Sequence, residues 1–187
     1  MKIICIENCF TDKPISMEFR PDSSHLREND PFYLKCGESY SFHAGIALRI
    51  SRITKCINPK FASRNFDQIR LAIAFKNETL FNELESKGIS TMPATCFDYS
   101  LALSEDSVES VDFNNLDVNL EYDSKEDTLK FSSSLYSIEK IISTVSESLT
   151  LKVGDYVVVL FPNHYEAKVG RVKFSIMDKT LLDFEIK

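Results

Sequence analysis

Apolar and polar residues alternate from Tyr40 to Ile53, with Phe42, Ala44, Ile46, Leu48 and Ile50 on one face and His43, Gly45, Ala47 and Arg49 on the other. A period of two is that of a strand, and it places His43 and Gly45 on one face, roughly 6.5 Å apart. The pattern changes period at Ser137. Ile138, Ile141, Ile142, Val145 and Leu149 recur at helical spacing behind Ser137, a residue suited to accept from a free N–H of the first turn. Ser143, Thr144, Ser146 and Glu147 fall on the other side and are expected to face water. Lys152 to Asp155 then predicts a turn in which Gly154 takes a positive φ, and Tyr156 to Phe161 an interior strand closed by Pro162.

Other stretches give shorter signals. Strands are predicted over Lys2–Ile6, Met17–Pro21, Ile69–Phe75, Ala167–Phe174 and Leu181–Ile186, with a brief apolar return at Phe32–Leu34. Val118–Tyr122 and Thr128–Ser132 flank a polar tip, Asp123 to Asp127, and predict a hairpin. Asn77 is placed to cap a helix over Glu78–Lys87 that turns Leu80, Phe81 and Leu84 inward and stops at Gly88. Lys60–Asp67 has room for another short helix. Loops are expected at Glu7–Ser16, Asp22–Ser24, Glu28–Pro31, Ile89–Ser100 and the acidic Ser104–Asn115. The class is mainly β mixed α/β, with two or three short helices.

A chain of 187 residues fits one domain, with an N-terminal arm and strands over 1–35 and a core over 36–187. A net charge of -6 and no Lys/Arg stripe argue against nucleic acid or an anionic membrane as partner. Five cysteines without CxxC spacing fit free thiols in a reducing compartment rather than a disulfide framework or zinc. MKIICIENCF is interrupted by Glu7 and Asn8 and is too short for a signal core, so a cytoplasmic location is expected.

In order along the chain, these segments resemble the fumarylacetoacetate hydrolase family, in particular its short bacterial members. The family's opening MKIICIGxNYxxH is similar to MKIICIEN here, FxKPDSAL to Phe19, Arg20, Pro21, Asp22 and Ser24, and NxPF to Asn29, Asp30, Pro31 and Phe32. YExELxVRIxR resembles Phe42 to Arg52, GxDxTARDxQ resembles Ile73 to Glu83, and KGFD resembles Thr95 to Asp98. The fullest match is Tyr136 to Ala167, against FxxxxIIxxxSxxxTLxxGDxxxTGTPxGVG, and the closing LLDFEIK is also similar.

The resemblance implies a β-sandwich roll and a homodimer. It also implies metal-dependent hydrolysis, isomerisation or decarboxylation of 2-oxo or diketo acids, with Mg or Mn held by the carboxylates of E-x-E and GxD. At those positions stand His43, Gly45 and Ala74. No histidine follows Asn8-Cys9, Thr95 stands for the KGFD lysine, and Leu160 to Glu166 replaces the small-residue loop. No metal and no cofactor are therefore expected, and the expected protein is a catalytically inactive homologue that binds a ligand or partner. The alternative is an enzyme with a remodelled site built on His43, Asp98 and His164. The candidate pocket residues are Arg20, Asp22, His43, Thr95, Asp98 and His164. Plainer roles are open to them, such as a surface ion pair or turn for Arg20 and Asp22, a loop cap for Asp98 and a satisfied half-buried ring for His43, and Cys96 beside Phe97 reads as packing rather than a nucleophile.

Overall fold

A computed structural model describes residues 1–27, 30–109 and 111–187; the loop expected at Glu28 and Asn29 lies outside the described residues. In chain order the elements are β1 (Ile3–Glu7), β2 (Ser16–Arg20), a 3-10 turn (Asp22–Ser24), β3 (His25–Leu26), β4 (Tyr40–Ile50), α1 (Pro59–Ala62) and β5 (Phe66–Asn77). Then come α2 (Glu78–Ser86), a 3-10 turn (Met92–Ala94), β6 (Leu101–Leu103), a 3-10 turn (Phe113–Asn115), β7 (Asp117–Tyr122) and β8 (Lys125–Lys130). A last 3-10 turn (Phe131–Ser133) leads to α3 (Ile138–Ser148), β9 (Tyr156–Leu160), β10 (Tyr165–Glu166), β11 (Gly170–Ile176) and β12 (Lys179–Ile186). None of these helices is long and apolar enough to cross a membrane.

The strands form two sheets. The larger runs β2-β1-β9-β4-β5-β6-β3, with β10 paired to β4, and the smaller runs β12-β11-β7-β8. The two ends of the larger path, β2 and β3, are separated in sequence only by Pro21 to Ser24. Laid flat, six inter-strand spacings of about 4.8 Å would hold those edges about 29 Å apart. Five residue steps reach at most about 18 Å. The sheet must therefore roll, and its closing contacts are present: Tyr99 N donates to Ser23 O at 3.1 Å, and Arg20 Nη1 donates to Ser100 O at 2.6 Å.

Rolling divides the apolar residues into two cores. Phe42, Ala44, Ile46 and Leu48 of β4 face the second sheet and α3, with Phe75, Phe174, Ile141 and Val157. The opposite face lines the inside of the roll with Ile3, Cys5, Ala47, Ala72, Ala74, Val158 and Leu160, all buried. Small side chains on this concave face leave room for curvature. Gly45 shows the need most directly, since a Cβ there would lie 2.9 Å from both Leu160 Cδ2 and the Val159 carbonyl oxygen.

Local signals hold at α3 and the turn after it. Ser137 Oγ accepts from Lys140 N, Ile138, Ile141, Ile142 and Val145 are buried, and Gly154 has φ +85°. Asn77 caps α2 by accepting from Leu80 N, and Gly88, at φ +64°, follows the helix. Phe32 to Leu34 finds its partner at the far end of the chain, where Phe32 N donates to Glu185 O and Leu34 N to Lys187 O.

Several expectations are corrected. Ser143 and Ser146 do not face water: Ser143 Oγ donates to Ile57 O at 2.7 Å, and Ser146 Oγ accepts from Ile57 N at 3.0 Å, because the segment around α1 packs over them. The hairpin tip is two residues, Asp123 and Ser124, both at positive φ, so β8 starts at Lys125. The helix expected over Lys60–Asp67 is only Pro59–Ala62, since β5 begins at Phe66 and claims the rest for its ladder. The strand expected over Ala167–Phe174 is Gly170–Ile176, in register with β12 and β7.

Candidate functional site

One end of the roll opens into a cavity of about 280 Å³. Its floor is apolar, made by Ala74, Leu160 and Phe161, and its polar lining includes Glu7, Glu18, Arg20, His43, Lys76 and Thr95. Register explains the gathering. His43 lies opposite Ala74, Glu18 opposite Cys5 and Arg20 opposite Ile3, and partners across a ladder share a face. Lys76 follows Ala74 by two residues, and Glu7 follows Cys5 by two, so each extends the inner face to the mouth.

His43 has a fixed role in this geometry. Its Nδ1 lies 3.2 Å from the carbonyl oxygen of Phe161, which can only accept, so Nδ1 carries the hydrogen. Nε2 makes no hydrogen bond within the described residues and remains an acceptor. Burial lowers the pKa of His43 and the Phe161 carbonyl opposes this only in part, so the ring is neutral at pH 7. The His164 ring stands edge-on to it, centroids 5.3 Å apart, and His164 Nε2 lies 3.8 Å from Glu78 Oε1.

The cations at the mouth are differently held. Lys76 Nζ is 3.1 Å from Glu78 Oε2 and sits over the Phe81 ring at 3.4 Å. Burial raises the pKa of Glu78, but bonds from Ser41 and Lys76 outweigh it and leave the carboxyl below its ordinary value. Arg20 is only 2% exposed, and beyond its bond to Ser100 its Nε lies 3.4 Å from Glu18 Oε1 without a hydrogen bond. Cys96 Sγ donates to Phe19 O at 2.6 Å, and burial raises its pKa, so it is a closing thiol and not a thiolate nucleophile.

The residues singled out by sequence divide between places. Arg20, His43 and Thr95 meet at this cavity. Asp22 is exposed on the 3-10 turn that joins the edges of the roll. Asp98 lines a separate cavity of about 410 Å³ with Phe32, Tyr40 and Phe97. His164 touches the His43 ring but lines another hollow with Tyr122, Asp127 and Tyr165. Glu7, Glu18 and Lys76 were not singled out; Lys76 was legible from its two-residue offset from Ala74, whereas Glu7 reads as the start of a loop and Glu18 depends on register.

This rolled sheet with its mouth cavity is the fold of the fumarylacetoacetate hydrolase proteins. A protein of that family from Yersinia pestis CO92 superposes with a TM-score of 0.88 at 17% identity, over 100% of this chain and 93% of that one. Fumarylpyruvate hydrolase from Pseudomonas aeruginosa, solved with Mn²⁺ and pyruvate, gives 0.87 at 12% identity over 100% and 89%. A 2-hydroxyhepta-2,4-diene-1,7-dioate isomerase from Mycobacterium marinum gives 0.88 at 18% identity over 99% and 73%. No protein-family model matches the sequence, and no curated protein matches it by sequence. The likeness is one of fold.

The expectation of no metal and no cofactor for this chain is corrected by the comparison, since the Pseudomonas enzyme of the same fold is solved with Mn²⁺. In this chain the strand positions bear His43, Gly45 and Ala74, and the donors at the mouth are Glu7, Glu18 and the His43 imidazole. Among the described residues no three His, Cys, Asp or Glu side chains come together as a metal-holding group. The carboxylates of Glu7 and Glu18 stand at other positions than those the resemblance assigns to the metal ligands.

Proposed function

We propose that this chain is a ligand-binding protein on the fumarylacetoacetate hydrolase fold, which holds a small carboxylate-bearing molecule at the mouth of the roll and does not carry out the family's carbon-carbon bond hydrolysis. The observation that carries this reading is at Gly45. That position corresponds by resemblance to the second glutamate of E-x-E, and a Cβ there would already meet Leu160 and the Val159 carbonyl at 2.9 Å. With Ala74 opposite His43, the groups of the family's chemistry are missing from the strands that would carry them, while Arg20 and Lys76 keep positive charge for a carboxylate. Scaffold and chemistry are separable, and packing here persists without the chemistry. The resemblance further supports a cytoplasmic homodimer, for which light scattering on the purified chain is the direct measure.

Calorimetric titration of the purified protein with oxalate, with and without Mn²⁺, alongside a hydrolysis assay on fumarylpyruvate, tests the reading. Saturable binding of the acid without turnover supports it, and turnover overturns it. A second reading, an enzyme with altered chemistry, draws on one observation: the neutral His43 keeps an unpaired Nε2 at the cavity, where it could act as a base. Turnover lost in His43→Gln would favour that reading.

A further inference from the structure

We infer that the ligand of this cavity is a small aliphatic α-amino acid, a zwitterion, rather than a simple organic acid. The inference rests on the proposal that the mouth cavity is a binding site. Two features of the lining carry it.

The first is charge. The cavity presents two anions, Glu7 and Glu18, and two cations, Arg20 and Lys76. A simple carboxylate would meet attraction from the cations and repulsion from both acids, so most of its electrostatic gain would cancel. A ligand bearing both signs avoids the cancellation. Glu7 is the open place for the positive end, because its carboxylate makes no hydrogen bond or ion pair within the described residues, whereas Glu18 already lies beside Arg20. Lys76, beside Glu78 and over the Phe81 ring, makes one ion pair for its three N–H donors and is the place for the carboxylate.

The second is hydrogen-bond polarity. Because Nδ1 of His43 donates to Phe161 O, its Nε2 offers a lone pair and needs a donor. An ammonium N–H supplies one, as a 2-hydroxyl also would, so this feature disfavours the keto acid and the charge of Glu7 is what separates alanine from lactate. A keto oxygen at the same place would set acceptor against acceptor and leave both unsatisfied. The floor of Ala74, Leu160 and Phe161 suits a short aliphatic side chain, and the volume of about 280 Å³ suits a small molecule.

Alanine, lactate and pyruvate share one carbon skeleton and differ only at the 2-position, so they separate the possibilities. Isothermal titration of the full chain at pH 7.5 should show alanine binding at least about 10-fold tighter than either acid, a difference of about 1.4 kcal/mol. Glu7→Gln, an exposed substitution on an edge of the mouth, should bring alanine down to the level of lactate, with circular dichroism confirming an unchanged fold. Lys76→Met should weaken all three. If lactate or pyruvate binds as tightly as alanine or tighter, the zwitterion inference is wrong and the organic-acid site stands. If none of the three binds, the mouth cavity is not a site for small acids and both proposals fall.

Discussion

Arg20 Nη1 and the carbonyl oxygen of Ser100 meet at 2.6 Å across the seam where the larger sheet closes on itself. Arg20 belongs to the first strand of that sheet's path and Ser100 immediately precedes β6, near its other end. The same carbonyl accepts from Phe75 N at 2.8 Å, so one buried oxygen ties the seam to the central strands. Arg20→Met keeps the stem and removes the charged donor. It also leaves Glu18 without its cation. A loss of about 2 kcal/mol is expected, read as a lower urea midpoint with an unchanged m-value. Arg20→Lys should recover little, since an ammonium on a flexible stem does not reproduce the planar fork.

The Gly45 position makes a sharper steric prediction. Alanine there would bring its Cβ to 2.9 Å from a backbone oxygen and a packed leucine. The oxygen belongs to the β9 ladder and cannot retreat without breaking it. Gly45→Ala should therefore destabilise by about 1–3 kcal/mol, the usual range for overpacking, as measured by thermal unfolding. Ala47 lies two residues along the same face, and a glycine there would test the converse: a cavity and a looser strand, costing about 1 kcal/mol.

How much of this could be read beforehand follows from how local each cause is. Ser137, the Ile138-to-Val145 stripe and the Gly154 turn are set by residues within a few positions of one another, and α3 and β9 appear where the pattern places them. Ser143 and Ser146 are buried by a segment about 86 to 89 residues away, which no periodicity reports. The candidate site divides the same way. His43 and Gly45 share a face by strand period alone, but Glu18 and Arg20 reach the mouth only because β2 pairs with β1 and the sheet rolls. Asp98 is the last residue of the matched segment Thr95 to Asp98, yet the chain turns after Phe97 and sends it to another hollow.

Asp155 extends the turn after α3 into a long-range clasp. Its carboxylate accepts from the Lys2 backbone N–H at 2.8 Å and the Lys152 N–H at 2.7 Å, with the Lys2 ammonium beside it. Burial raises its pKa, but these three donors outweigh burial and hold it below 3.8. The group is thus ionised in the folded state at a pH where the unfolded chain is already taking up a proton. Its stabilisation is complete above about pH 3.8 and is lost as pH falls through the depressed folded value. Asp155→Asn should cost about 2 kcal/mol at neutral pH and should flatten the acid limb of a stability-against-pH curve. An acid limb identical in both proteins would show that the clasp does not contribute.

His43 titrates in the opposite sense to a paired histidine. Its folded pKa lies below 6.5 because burial disfavours the imidazolium, while the unfolded chain protonates near 6.5. Between those two values the unfolded state binds more protons, so stability falls as pH drops through the window and is constant in this term above it. His25 is shifted the same way, again by burial. His43→Gln should therefore remove part of the slope and leave the part due to His25. Carbon-proton chemical shifts of the two rings followed against pH would give each midpoint separately. A His43 midpoint at or above 6.5 would contradict the neutral ring on which the Nε2 acceptor depends.

The hairpin between β7 and β8 carries a stabilising prediction. Asp123 at φ 52° and Ser124 at φ 59° occupy consecutive left-handed positions in a two-residue turn. This is the type I′ geometry whose hand matches the twist of the flanking strands. A side chain in the left-handed region costs roughly 1–2 kcal/mol, less for Asp and Asn, which are tolerated there. Serine lacks that tolerance, so most of the strain is at Ser124. Ser124→Gly should relieve it against a smaller loss of unfolded-state restriction, for a net gain of about 0.5–1 kcal/mol. Adding Asp123→Asn completes the favoured Asn-Gly pair, with a few tenths more expected. The mouth cavity has no lining residue from either strand, so unfolding midpoints should rise while ligand affinity is unchanged. A fall in the midpoint would mean that Ser124 contributes a contact outweighing its backbone cost.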